Sequence, residues 1–252
     1  MPFYGKNARM RWIYISPHLD DAALSAGGVI HEQTQAGTPV EIWTILCGFP
    51  SEDQELSPFA QALHYTWGIS NTADLVRARR VEDEQACKIV GATPIHFDGY
   101  FDCIYRRGKK GNWLYSNIYS TPHEDEADLP ARIAESISVR LEPDDQLVCQ
   151  LGLGSHVDHI LVRRAVELLQ RPILYYADVP YLFKTPGELA PLTAGMKEKA
   201  QTVGEAGLRS WQEAVAAYES QISSLFESGE GMREQIRQYW SEIGGIRLWE
   251  PV

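Results

Sequence analysis

Between Trp12 and Leu46 the sequence reads strand, helix, strand, and this unit restricts the fold more than any other feature of the chain. Trp12 to Ile15 is a short β-rich run. Asp20 to Ala36 carries Ala23, Leu24, Val29 and Ile30 at helical spacing and stops at Gly37. Val40 to Leu46 is apolar and rich in β-branched residues, the pattern of a strand buried on both faces of a parallel sheet. Such a βαβ unit lays its two strands side by side with a right-handed crossover. The alternation then continues. Helices are predicted over Val76 to Val90, closed by Gly91, over Leu129 to Leu141, and over Val157 to Leu169, ended near Pro172. Strands are predicted at Ile95 to Phe97, Gln146 to Leu151 and Ile173 to Ala177. Trp211, Val215, Tyr218, Ile222 and Leu225 are spaced for one late helix.

Residues 47–75, with a weak helical stretch at Pro58 to Trp67, and residues 99–128 interrupt the rhythm. Connections that long commonly form lids or pocket walls. No repeat, low-complexity tract or linker divides the chain. The expectation is a single domain over residues 1–252: an α/β fold, doubly wound, with a mostly parallel sheet and helices on both faces.

At 44% hydrophobic and 23% charged, the chain is equipped to bury a sizeable core. Its net charge of −11 argues against nucleic acid as a partner, because that affinity comes from clustered Lys and Arg. The basic run Arg106-Arg107-Gly108-Lys109-Lys110 reads as a solvated loop tip. No run of 18 apolar residues predicts a transmembrane segment. Met1 to Lys6 is not followed by an apolar signal core, so a cytoplasmic location is expected. The four cysteines form no CxxC pair, which excludes a zinc ribbon or a dithiol redox motif. Cys47 and Cys149 sit in or at the end of strand-like runs, where small buried hydrophobes are expected.

Two clusters carry chemistry. Ser16-Pro17-His18-Leu19-Asp20-Asp21 lies where the first strand hands over to the first helix. Gly154-Ser155-His156-Val157-Asp158-His159 lies at a second strand-to-helix junction. In a parallel sheet all strand C-termini share one edge, and ligand sites form there. Topology therefore brings together His/Asp clusters that are far apart in sequence. Each cluster alone is weak, since Asp is a common helix cap. Together they offer the two nitrogens and one carboxylate of a hydrolytic metal site, with His and Asp to spare for acid–base work. His31, His64, His96 and His123 have no such company and read as structural or surface residues.

These motifs resemble those of the PIG-L/LmbE family of metal-dependent N-deacetylases. That family carries His-x-Asp-Asp after its first strand and His-x-Asp-His after a later one; here they read SPHLDD and HVDH. Gly27-Gly28, Arg79-x-x-Glu82, Asp102 and Tyr218-x-Ser220-Gln221 resemble further family signatures, so the likeness runs from Trp12 to Leu225. Ala22 replaces an acidic residue common after Asp-Asp, and Val157 a proline common in the second motif. The resemblance implies a Rossmann-like fold and one zinc ion per chain on His18, Asp21 and His159, although iron(II), cobalt or nickel suit the same ligands. It implies Asp20 as general base, His156 as stabiliser of the oxyanion with Asp158 orienting it, and Arg79 and Asp102 as substrate contacts. The implied substrate is a small-molecule N-acetylated glycoside of the N-acetylglucosamine type.

Alternatives remain open at this point. A metal-dependent amidase or esterase acting on a non-sugar substrate, a metallo-β-lactamase-like hydrolase and a non-catalytic metal- or sugar-binding protein are all compatible with the motifs. Oligomeric state, including a homo-oligomer, is not readable.

Overall fold

The computed structural model describes residues 10–51 and 53–252. The Met1 to Lys6 segment considered above lies outside them. The elements are β1 (Trp12–Ser16), α1 (Asp21–Gln35), β2 (Val40–Thr44), α2 (Pro58–Thr66), α3 (Thr72–Val90), β3 (Thr93–His96), α4 (Leu129–Ser138), β4 (Gln146–Gln150) and α5 (Val157–Glu167). They continue with β5 (Ile173–Tyr176), α6 (Tyr181–Lys184), α7 (Leu189–Leu192), β6 (Met196–Thr202), α8 (Glu205–Ala216), α9 (Glu219–Leu225), α10 (Gly229–Ile243) and β7 (Gly245–Pro251).

One seven-stranded sheet has the order β3-β2-β1-β4-β5-β7-β6. The pairings among β1 to β5 are all parallel, while β7 runs antiparallel to β5 and β6 antiparallel to β7. The chain winds outward from β1 in one direction and from β4 in the other. The switch point therefore falls between β1 and β4, where a doubly wound sheet opens a crevice at its strand C-termini.

Alternate residues of each strand serve opposite faces. Tyr14, Ile42, Val148 and Leu174 pack with Ala26 and Ile30 of α1, Ala86 and Val90 of α3, and Ala214 of α8. Ile13, Trp43, Leu147 and Cys149 pack on the other face with Ile133 and Ile137 of α4 and Leu161 and Val162 of α5. Gly27 and Gly28 let α1 and α8 approach: a Cβ on Gly27 would lie 2.8 Å from Trp211 Cδ1, and one on Gly28 3.0 Å from Val203 Cγ1. All four cysteines are buried and free.

Two sequence expectations are corrected. α3 begins a turn before Val76, because the Asn71 side chain accepts from Asp74 N and caps the helix there. The single late helix is instead α8 and α9, broken at Ala217 and Tyr218.

Arg11 staples the starts of three neighbouring strands. Its guanidinium donates to both carboxylate oxygens of Asp145, at 3.0 and 2.7 Å, and to Glu41 Oε1 at 2.9 Å. Burial pushes the Asp145 carboxyl up, but the Arg11 hydrogen bonds outweigh it and hold it below its usual range. A carboxylate depressed in the folded state stabilises the fold above its unfolded pKa, about 3.9, and loses that contribution as pH falls through the native value. Asp145→Asn is expected to lower the urea-unfolding free energy by about 1–3 kcal/mol at pH 7. The gap between variant and wild type should close as the pH is taken well below about 4. A gap of constant size down to acid pH would remove Asp145 as the titrating partner.

Candidate active site

The first cluster is built by a capping substitution. Ser16 Oγ donates to the His18 carbonyl at 2.6 Å and accepts from Ala22 N at 3.1 Å, so the serine satisfies the start of α1. Asp20, at the N-cap position, makes no side-chain cap bond. The helix-cap explanation for its presence therefore fails, and its carboxylate is left for other work. Asp21 turns back instead. Its Oδ2 accepts from His18 N at 2.8 Å and lies 3.3 Å from His18 Nδ1.

The second cluster sits on the first turn of α5. His156 Nδ1 accepts from Asp158 N at 3.1 Å and caps that helix. With Nδ1 an acceptor, the proton of a neutral ring resides on Nε2. Burial, reinforced by the nearby His18 and His159 rings, holds His156 well below the usual histidine range, which favours the neutral ring. The His156 ring centroid stands 4.8 Å from that of His18 and 4.9 Å from that of His159.

Asp158 is oriented differently from expectation. Its backbone N–H, not its carboxylate, aligns His156. The carboxylate lies 2.9 Å from His18 Nε2, accepts from Cys103 N at 2.9 Å and is 2.6 Å from an Arg106 amine. Arg106 also meets Glu126 at 2.5 Å and is buried, which corrects the solvated reading of the basic run at its first residue. The Asp158 and Glu126 carboxylates, with the Phe101 carbonyl at 2.9 Å, take up this guanidinium away from water.

Asp178, just past β5, was not singled out from sequence. Its Oδ1 lies 2.6 Å from His159 Nδ1, and its Oδ2 accepts from Gly152 N at 2.8 Å and Leu153 N at 2.9 Å. It fixes the ring so that Nε2 faces Asp21 Oδ1, 3.3 Å away. The sheet-edge rule used for the two motifs would have pointed to it.

His18, Asp21 and His159 fit a metal ion. They offer ligand atoms that all lie within 4.8 Å of one another, and all three are buried. Asp21 lies between the two rings, with Oδ2 3.3 Å from His18 Nδ1 and Oδ1 3.3 Å from His159 Nε2, the nitrogen and oxygen donors that a hydrolytic metal would take. The far nitrogen of each histidine ring is held by a carboxylate, Asp158 or Asp178, the usual support for a metal-binding histidine. Burial disfavours a charged His159 ring, yet Asp21 and Asp178 outweigh it and push it up to about 10. A site that draws protons onto its histidines in this way has carboxylate charge to offer a divalent cation in their place.

Asp20 stands beside this group. Burial, and then repulsion from Asp21, push its carboxyl up to about 7 against the opposing charge of Arg79. Arg79 reaches Asp20 Oδ2 and the Leu19 carbonyl, both at 3.3 Å, and lies over the Trp67 ring. A cavity of about 220 Å³ opens here, lined by all three motif histidines, Asp20, Asp21, Arg79 and Asp102. Asp102 lies 3.9 Å from His18 Nε2 and caps the turn Cys103–Tyr105. Of the loop aromatics, Trp67 and Tyr119 line the cavity. Trp113 stacks on Arg107, and Tyr115 is buried, donating to Glu126 at 2.6 Å.

This arrangement bears out the motif resemblance, and comparison with known proteins decides it. Residues 13–169 match the family described as PIG-L: GlcNAc-PI de-N-acetylase. The chain belongs to the PIG-L family. A relative within it, 2'-N-acetylparomamine deacetylase of Niallia circulans, is 26% identical over 270 residues, spanning 94% of this chain and 93% of its own. The PIG-L fold seen here superposes on the deacetylase–bog complex of the teicoplanin biosynthesis pathway with TM-score 0.84 and 28% identity, over 96% of this chain and 97% of that one. The zinc-inhibited form of teicoplanin deacetylase gives TM-score 0.82 at 28% identity and the same coverage. Among the described residues no helix is long and apolar enough to cross a membrane.

Proposed function

We propose that this chain is a metal-dependent hydrolase that removes the acetyl group from an N-acetylated amino sugar in a small glycoside. The observation that carries the reading is the meeting, in one cavity, of a His18–Asp21–His159 ligand set with an Asp20 carboxyl that makes no cap bond to its helix. The likeness to 2'-N-acetylparomamine deacetylase and to the deacetylase of the teicoplanin biosynthesis pathway supports the substrate class. The cavity accommodates a sugar-sized group, with the rest of a larger substrate left outside.

His18, Asp21 and His159 would hold the metal. When bound there, a divalent cation supplies Lewis acidity toward the amide carbonyl and toward water. Asp20 takes a proton from the attacking water as its oxygen bonds to the carbonyl carbon. His156, neutral and protonated at Nε2, donates to the oxyanion that develops. Asp20 then passes its proton to the nitrogen as the C–N bond breaks, releasing acetate and a free amine. Asp158 and Asp178 keep His18 and His159 in register, and Arg79 keeps the Asp20 charge in place. Arg79 and Asp102 line the cavity and serve as substrate contacts.

The test is acetate release by the metal-loaded protein from N-acetylated glycosides, with a simple aryl acetate and a non-sugar acetamide as controls. Release confined to glycosides is expected. Release from the controls alone would replace this reading with a general amidase or esterase. Binding without any release would leave a non-catalytic protein.

A further inference from the structure

Two sequence motifs that look unrelated face each other across one wall of the cavity. α3 passes the first turn of α9, and two of its carboxylates hold that turn. Tyr218 Oη donates to Asp83 Oδ1 at 2.8 Å, and the other oxygen of Asp83 lies 2.8 Å from His96 Nε2. Two residues further on, Ser220 donates to Glu82 twice, from its backbone N–H at 2.8 Å and from its hydroxyl at 2.7 Å. Ser220 Oγ in turn accepts from Gln221 Nε2 at 2.9 Å. Gln221 is only 4% exposed and lines the cavity beside Ser224 and Leu225.

Chemistry fixes the polarity of this chain of hydrogen bonds. A carboxylate only accepts, so the Ser220 hydroxyl spends its proton on Glu82. The serine oxygen is then left as an acceptor, and Gln221 must turn its NH₂ toward it. Flipping the amide would set two acceptors against each other. The Gln221 carbonyl, Oε1, is therefore locked as the free end, and among the described residues no hydrogen bond to it is found. The cavity that Gln221 lines has the apolar side chains Leu24, Leu63, Ile104 and Leu225 together with polar ones that include Ser224, Lys184 and Tyr181. A fixed acceptor in such a wall selects a ligand that brings a donor, and penalises one that leaves the oxygen dry.

We propose that Gln221 is a specificity-determining residue whose Oε1 accepts a hydrogen bond from a hydroxyl of the sugar ring that carries the scissile amide. This rests on the deacetylase reading above. In that reading the amide itself is engaged by Asp20 and His156, which leaves the ring hydroxyls as donors for the α9 wall.

The test uses the metal-loaded full chain, methyl N-acetyl-β-glucosaminide and its 3-, 4- and 6-deoxy analogues. Dissociation constants are measured by NMR titration, and acetate release separately. The wild type is expected to bind one deoxy analogue about 10- to 100-fold more weakly than the parent. Gln221→Leu is expected to bind the parent weaker by a similar factor and to lose that preference, with KM rising more than kcat falls. Its metal content and melting temperature should match the wild type. Ser220→Ala, which releases the amide without removing it, should weaken binding by a smaller factor and keep the preference. Identical analogue preferences in wild type and Gln221→Leu overturn the inference. A wild type that shows the preference but releases no acetate overturns only the deacetylase reading. A wild type that neither binds nor cleaves any of the four overturns both.

Discussion

Asp20→Asn is expected to cut turnover by about 10²- to 10⁴-fold, the range for losing a positioned general base. Asparagine keeps the shape of the side chain and an oxygen for Arg79, which lies 3.3 Å from Asp20 Oδ2. It cannot accept and return a proton. A base works best with a pKa near the working pH, and burial with Asp21 repulsion pushes Asp20 up to about 7. Asp20 also makes no cap bond to α1, so the variant should retain the wild-type melting temperature. Metal content should stay at the wild-type value, since Asp20 is outside the His18–Asp21–His159 set. Kinetics with metal analysis on the same preparation separates the outcomes. Unchanged turnover removes Asp20 from the chemistry. Lost turnover with lost metal makes Asp20 a ligand instead of the base.

The part of the fold that the sequence announces is the part buried on both sides. β1, β2, β4 and β5 are written as apolar β-rich runs because helices cover both faces of the sheet there. β6 has no such run. Its sequence Met-Lys-Glu-Lys-Ala-Gln-Thr is that of a polar edge strand, mostly exposed, and among the described residues it pairs only with β7. Periodicity also runs straight through Tyr218, although the helix breaks there. The cause is tertiary: Asp83 and Glu82 of α3 take up Tyr218 and Ser220, and the chain bends to meet them.

The site divides along the same line. His18, Asp20, Asp21, His156 and His159 are legible because each pair sits within a few residues at a strand end, and topology does the rest. Arg106 is not legible. In sequence it is the first of five residues of a basic loop, and only the fold shows that it lies between Asp158 and Glu126. The same holds for the Asp158 carboxylate: its spacing suggests His156 as its partner, while the fold turns it to His18. A carboxylate two residues from one histidine and far in sequence from another offers no local sign of which it will meet.

Metal analysis should separate the ligands from the residues behind them. Wild type incubated with zinc or iron(II) under anaerobic conditions is expected to carry about one metal per chain, as a single site demands. His159→Ala removes one of three ligands that lie within 4.8 Å of one another and should leave the protein nearly empty. Asp178→Asn should still load, but with affinity about 10- to 100-fold weaker, the usual cost of losing a carboxylate behind a metal-binding histidine. The asparagine amide can still accept one hydrogen bond, but it no longer raises the basicity of His159 through Nδ1, 2.6 Å away. Equal affinity in wild type and Asp178→Asn would mean that His159 is oriented by packing alone. Excess zinc needs its own arm in the titration, because a related teicoplanin deacetylase exists in a zinc-inhibited form. Activity that peaks near one equivalent and falls with more zinc would place inhibition at a second locus, and the nearby donor group of Asp102, Cys103 and Asp158 is the first to examine by substitution. Activity that is absent at every zinc level but present with iron(II) would instead make iron the working metal of the same three ligands.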